Sequence, residues 1–253
     1  MIKSKELSKF YNIKHAFFNK KGGKSKGIYN SLNCGIGSLD NKKNIFENLN
    51  IVCKKFGVSN KKLILLKQLH SNKFYFISKK SRFNKKKFKG DALITDCKNI
   101  AIGVLTADCV PILIYDKNKK IVSAIHAGWK GAYKGIIKKV ITFLIKRGSK
   151  QEDLIAAIGP CISKKNYEVQ KNFKDKFIKK DKQNKKFFNF IKNKTYFSLN
   201  SYVYYQLKML GLKKLEIIKK DTFDPKNNFF SARRSSHYKE NDYGRNISII
   251  MIN

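Results

Sequence analysis

The sequence predicts an α+β fold: a single domain over residues 1–253, with a mixed β-sheet core and helices packed on it in layers. Three observations predict this. The segment 100–107 (IAIGVLTA) is an almost unbroken apolar run, which suits a strand buried on both faces. Residues 112–115 and 121–127 are apolar and flank the turn signal Asp116-Lys-Asn-Lys-Lys120, the pattern of a hairpin. Residues 133–146 place Ile136, Ile137, Val140, Ile141, Leu144 and Ile145 at helical spacing. No internal repeat or linker divides the chain, and its length supports one substantial core.

Taken in order, residues 13–18 read as a strand, followed by a basic loop around Gly22-Gly23. An N-cap-like Asp40 precedes Ile45, Leu49 and Val52, the spacing of an amphipathic helix over 40–56. The runs 63–69 and 74–77 read as strands on either side of His70. Residues 78–89 (SKKSRFNKKKFK) concentrate charge in an exposed loop or an anion-binding lid. Gly128 to Gly131 frames a tight turn around Trp129, and 154–158 is a short strand turned by Gly159-Pro160-Cys161. Residues 163–194, Lys-rich with interspersed aromatics, read as a helix and loop packed on the sheet. A helix over 199–210, a strand over 215–218, a polar loop with His237 and Tyr238, and an apolar strand over 247–252 complete the pattern.

The chain carries 56 Lys+Arg against 17 Asp+Glu, a formal net charge of +39. Such a balance ordinarily points to nucleic acid. Only five of the basic residues are Arg, however (Arg82, Arg147, Arg233, Arg234, Arg245), and Arg carries most base and bidentate phosphate readout. The lysines are spread along the chain, so the charge reads as solvated surface, with no specific nucleic-acid partner but non-specific attraction to polyanions at low salt. Five cysteines without a framework spacing, and an N-terminus without an apolar signal core, suit a reducing compartment; a cytoplasmic location is expected. Thr106 and Asp108 break the longest apolar stretch, 100–115, so no membrane span is expected.

The stretch 90–135 concentrates the chemistry. With a loop at 117–120, Asp116 faces Ile121, and counting back sets His126 opposite Pro111, two residues from Cys109. Both side chains then sit at the open end of the hairpin, where rigid strands present functional groups to loops. His70, ending the 63–69 run, is the best third member among only four His. Two His and one Cys suit zinc with a fourth position left for water, a catalytic rather than structural arrangement. A buried Cys and two hydrogen-bonded core histidines are the alternative, since no short CxxC-type signature is present. Trp129 could stack a purine or plug the mouth of the core. Arg233-Arg234 are candidates for a phosphate or carboxylate.

These residues fall within a series of blocks. His15-Ala-Phe-Phe-Asn-Lys-Lys-Gly-Gly with Tyr29-Asn-Ser-Leu-Asn33 comes first, then Gln68-Leu-His70 and Gly90-Asp-Ala-Leu-Ile-Thr95. Thr106-Ala-Asp-Cys-Val-Pro111 and His126-Ala-Gly-Trp-Lys-Gly131 follow. Gly159-Pro-Cys-Ile162 with Tyr167-Glu-Val169, and Phe230-Ser-Ala-Arg-Arg234 with Gly244-Arg245, close the series. In this order they resemble the YfiH-like family, historically called the multicopper polyphenol oxidase or laccase-domain family, over nearly the whole chain. The resemblance implies a zinc site at His70, Cys109 and His126. It implies purine nucleoside phosphorylase activity on adenosine, inosine and methylthioadenosine, with accompanying adenosine deaminase activity. The laccase name implies copper, and some relatives are linked to editing of peptidoglycan precursors. Asn33 could hold a ribose or base, or support its own loop; Gln68 is a further candidate for substrate contact. Three positions depart from the family pattern. Lys130 replaces the usual Arg and loses its planar grip on phosphate, Leu49 follows Asn48 where Arg is frequent, and Ser163 stands where Gly is usual. The metal triad is intact.

Zinc is thus the expected metal and copper the less favoured one, because a laccase needs many more His than the two that remain. In phosphorolysis, phosphate attacks the anomeric carbon as the base leaves, with Lys130 and Arg234 the candidates to hold it. In deamination, water attacks the purine carbon bearing the amino group. Asp108 would orient water or shuttle a proton, or act only as structural support. Two rival readings are a metal-free cysteine hydrolase, with Cys109 as nucleophile, His126 as base and Asp108 or Gln68 as support, and a basic nucleic-acid-binding protein without catalysis.

Overall fold

The computed structural model describes residues 1–78 and 88–253, so the charged run 78–89 and its lid reading fall largely outside the described residues. In chain order the elements are β1 (Ile13–Phe17), α1 (Lys42–Phe56), β2 (Leu63–Ile64), β3 (Phe74–Ile77), β4 (Ala92–Thr95), β5 (Ala101–Thr106) and β6 (Val110–Asp116). There follow β7 (Ile121–Ala127), α2 (Trp129–Tyr133), α3 (Ile136–Lys146), β8 (Leu154–Ile158), β9 (Glu168–Val169) and α4 (Lys171–Lys180). The last are β10 (Phe188–Ile191), β11 (Lys194–Phe197), α5 (Leu199–Met209), β12 (Lys214–Ile217), α6 (Ala232–His237) and β13 (Asn246–Ile252).

Six strands form a sheet in the order β12-β8-β6-β7-β4-β3, and four form a second, β1-β13-β5-β2. Each mixes parallel and antiparallel pairs. Strand alternation explains the layering. Ile112 and Ile114 of β6 point to one side, onto Ile137, Val140 and Leu144 of α3 and Val203 of α5. Leu113 and Tyr115 point to the other, onto Phe17, Ile102, Val104 and Ile250 of the second sheet. The intervening residues of that sheet, Ala16, Leu105 and Ile249, face away again and bury Val52, Cys53 and Phe56 of α1. The order is therefore helices, six-stranded sheet, four-stranded sheet, helix, which is the predicted α+β layering. Strands covered on both faces account for the apolar runs of β5 and β6, every residue of which is buried. Each fully buried aliphatic side chain there contributes about 1.5–3 kcal/mol.

Local expectations need five corrections, the first being that the polar segment read as a loop up to His237 is the short helix α6, capped by Ser231. Asn41, not Asp40, caps α1, its side chain accepting from the Lys43 N–H. The 63–69 run is a strand only at Leu63–Ile64; beyond it the Gln68 side chain takes both the N–H and the C=O of Leu105 and replaces the ladder. Residues 128–131 do not make a simple turn but lead into α2, and Gly135, at φ +83°, separates α2 from α3. Residues 163–194 hold α4 but also strands of a three-stranded sheet, β10-β11-β9. Its hairpin turns at Lys192-Asn193, both with positive φ as a two-residue hairpin requires.

Candidate metal centre

The hairpin register is the one counted from sequence: Asp116 pairs with Ile121, and Pro111 with His126. Cys109 lies where the chain leaves β5 of one sheet and enters β6 of the other. His70 follows β2, the edge strand of the four-stranded sheet, and takes a left-handed φ of 55°. The three side chains therefore meet at the seam between the sheets. Their ligand atoms all lie within 4.8 Å of one another, and Cys109 Sγ stands 3.7 Å from His70 Nε2. The two imidazoles meet edge to face with centroids 4.8 Å apart. Gly128 leaves room for them: a Cβ there would come 2.8 Å from both Cys109 Sγ and His70 Cδ2.

Asp91 organises the cluster. Its fully buried carboxylate accepts from the backbone N–H groups of Leu69, His70 and Ser71, from the Ser71 hydroxyl, and from His126 Nδ1 at 2.8 Å. It thus holds the left-handed turn that carries His70 and leaves Nε2 of His126 free for the cluster. Burial alone would raise its pKa, but the His126 and Ser71 hydrogen bonds outweigh burial and hold it at about 2. Burial would likewise raise the Cys109 thiol, yet His126 and His70 bring it down. Burial would lower His126, while Cys109 and the Asp91 carboxylate hold it up. The bare cluster favours a thiolate beside an imidazolium. Cys34 and Cys161, buried without such neighbours, have their thiols pushed up instead.

This donor set fits a borderline-soft divalent ion. With metal–sulfur and metal–nitrogen bonds of about 2.3 and 2.0 Å, tetrahedral S and N ligands lie about 3.5 Å apart, close to the spacing found here. The carboxylate behind His126 is the usual outer partner of a metal-binding imidazole. A multi-copper set does not fit. His15 Nε2 accepts the Ser4 N–H, and burial lowers its pKa to about 4, while His237 is exposed on α6 against Phe223. His70, Cys109 and His126 form the one such cluster among the described residues.

A cavity of about 480 Å³ opens on the triad, walled by Gln68, Leu105, Ile36, Tyr243 and Arg245. Of the residues singled out from sequence, Gln68 lines it directly. Asn33 lies behind its wall, fully buried, bonding Ser38 and Asp40 through Nδ2 and the N–H groups of Gly35 and Arg245 through Oδ1. Asp108 faces away from it; its buried carboxylate accepts from the Thr222 hydroxyl and the Arg233 N–H, and burial raises its pKa. Trp129 lies edge-on to Phe173 along a separate groove of about 1030 Å³, with exposed Lys130 and Lys176 over its ring. The Arg234 guanidinium donates to the carbonyls of Thr222, Phe223 and Phe229, away from the triad. Sequence reasoning passed over Asp91, Tyr243 and Arg245. Asp91 and Arg245 stood in the quoted blocks, but their partners are distant in the chain.

The family described as multi-copper polyphenol oxidoreductase laccase matches residues 14–253. A purine nucleoside phosphorylase of Rickettsia conorii is 40% identical over 161 residues, 63% of this chain and 66% of that one. A purine nucleoside phosphorylase of Haemophilus influenzae is 32% identical over 240 residues, 93% of each chain. The crystal structure of the Bacillus licheniformis hypothetical protein YfiH superposes with a TM-score of 0.87 at 28% identity, covering 95% of this chain and 93% of that one.

Proposed function

The chain belongs to the multi-copper polyphenol oxidoreductase laccase family, and within it we propose a zinc-dependent purine nucleoside phosphorylase that also deaminates adenosine. The observation that carries this is the His70–Cys109–His126 cluster opening into a cavity, in a chain whose relatives bear the name purine nucleoside phosphorylase. Adenosine, inosine and methylthioadenosine are the proposed nucleosides, and inorganic phosphate the co-substrate.

In phosphorolysis a phosphate oxygen bonds to the anomeric carbon while the glycosidic C–N bond breaks; the electron pair leaves on the purine, which takes up a proton. In deamination water adds to the purine carbon bearing the amino group, and ammonia leaves. Zinc bound by His70, Cys109 and His126 would act as a Lewis acid toward a reactant oxygen. The remaining work falls to the chain. Asp91 orients His126 and the His70 turn. Tyr243, the aromatic residue in the described lining of the cavity, is the proposed contact for the purine. Gln68, tied to Leu105 at both ends of its amide, keeps the opposite wall rigid. Asp108 supports the Cys109 segment through Thr222 and Arg233 rather than meeting substrate.

A second reading is a metal-free hydrolase with Cys109 as nucleophile and His126 as base, since the two side chains meet in the same cluster at the cavity. Metal analysis of untagged protein, paired with adenosine turnover before and after chelation, separates the two. About one zinc per chain is expected, with turnover lost on chelation and in His70→Ala. Adenine together with ribose 1-phosphate indicates phosphate as nucleophile, and inosine indicates water at the purine ring. Turnover that is indifferent to chelator, in protein without metal, would sink the zinc mechanism.

A further inference from the structure

We infer that Arg245 binds the phosphate co-substrate and that Asn33 and Gly35 fix its position, an inference that rests on the phosphorolysis reading. Arg234, the arginine favoured by sequence, has its guanidinium committed to three backbone carbonyls. Arg245 faces the cavity that it shares with His70, Cys109 and His126.

The Arg245 fork is under-partnered for a cation whose side chain is only 22% exposed. Its nearest carboxylate oxygen, Oδ1 of Asp242, is 3.5 Å away, at the limit of a hydrogen bond. The other Asp242 oxygen already accepts from the Tyr29 hydroxyl and the Leu39 N–H. Nη1 donates to the Tyr243 carbonyl at 3.0 Å, and the guanidinium carbon sits 4.5 Å from the Tyr243 ring centroid. The described lining of the cavity holds no Asp or Glu and adds a second cation, Lys67. A planar fork with donors to spare, in a cavity lined by cations without acids, suits an oxyanion offering two parallel acceptors.

The position of the fork is built in. Asn33 Oδ1 accepts from the N–H groups of both Gly35 and Arg245, each at 2.9 Å, and Cys34 donates to the Arg245 carbonyl. The 33–38 loop and the 242–245 segment are thereby stapled into one wall. The Arg245 stem lies directly on Gly35, where a Cβ would come 2.7 Å from Arg245 Cδ.

Steady-state phosphorolysis of adenosine, with each substrate varied at saturation of the other, tests the inference in R245K, R245A and G35A. R245K keeps the charge but loses the fork, and should raise the KM for phosphate by about tenfold or more. The KM for adenosine should stay within about twofold, and metal content should be unchanged. G35A should shift the phosphate KM in the same direction. A phosphate KM indifferent to R245K and R245A would overturn the inference, as would equal rises in both KM values, which would make Arg245 part of the wall only. Wild-type protein that never cleaves nucleosides with phosphate would defeat the phosphorylase reading instead. Calorimetric titration with inorganic phosphate then still decides: binding in wild type that is lost in R245A supports the inference, whereas equal binding in both, or none in wild type, overturns it.

Discussion

Asp91 takes the N–H groups of Leu69, His70 and Ser71 on one side and the His126 ring on the other, so one carboxylate sets two of three candidate metal ligands. Asp91→Ala frees the His70 turn from its left-handed conformation and lets the His126 ring rotate. Metal affinity should fall about 10–100-fold, measured by competition with a chelator of known affinity. An unchanged affinity would show that backbone packing alone aligns the ligands. His15 tests a different property. It is buried on β1, accepts the Ser4 N–H through Nε2, and burial lowers its pKa from 6.5 to about 4. As pH falls from 6.5 towards 4, the unfolded chain takes up a proton that the folded chain refuses, so stability declines; below about 4 both states are protonated and the loss levels off. His15→Gln can still accept the Ser4 N–H and does not titrate. Urea midpoints followed against pH should therefore fall less steeply in the variant across that window, and parallel curves would assign the acid lability to other groups.

Elements that bury both faces were legible in the sequence because every residue of β5, β6 and β7 is covered, leaving apolar runs with no alternation to misread. The tight loop after Asp116 then fixed the register, and with it the meeting of Cys109 and His126, from counting alone. The α3 face was legible for a related reason: Ile136, Ile137, Val140, Ile141 and Leu144 recur at the helical period and are all buried. The β10–β11 hairpin was hidden because its aromatic alternation, Phe188 and Phe190 against Thr195 and Phe197, sits in a Lys-rich stretch that reads as a helix and loop packed on the sheet. α6 was hidden by polarity, although Ser231, whose side chain accepts from the Arg234 N–H, is a capping signal. The supporting groups of the site could not be read at all from local pattern. Asp91 meets His126 across 35 residues, and Asn33 meets Arg245 across 212, and contacts of that kind leave no periodic trace.

At the scale of the whole molecule, the net charge of +39 is carried outside the core: no Lys or Arg is among the buried described residues. Even Lys176 and Lys180 above Tyr133 and Lys186 above Tyr205, whose ammonium groups lie over the ring faces, are exposed residues. No helix among the described residues is long and apolar enough to cross a membrane. A surface of this kind attracts any polyanion through counterion release, without reading sequence. A labelled single-stranded oligonucleotide should therefore bind at 50 mM salt and lose about 10³-fold or more in affinity by 200 mM, if about eight or more phosphates are engaged. Fluorescence anisotropy would follow the binding, and Cys109→Ala should bind as wild type does because the triad lies in a cavity apart from the lysine-covered surface. Binding that survives 200 mM salt and discriminates between sequences would mean that the lysines form a true nucleic-acid surface, and the non-catalytic reading would then have to be weighed against the nucleoside enzyme.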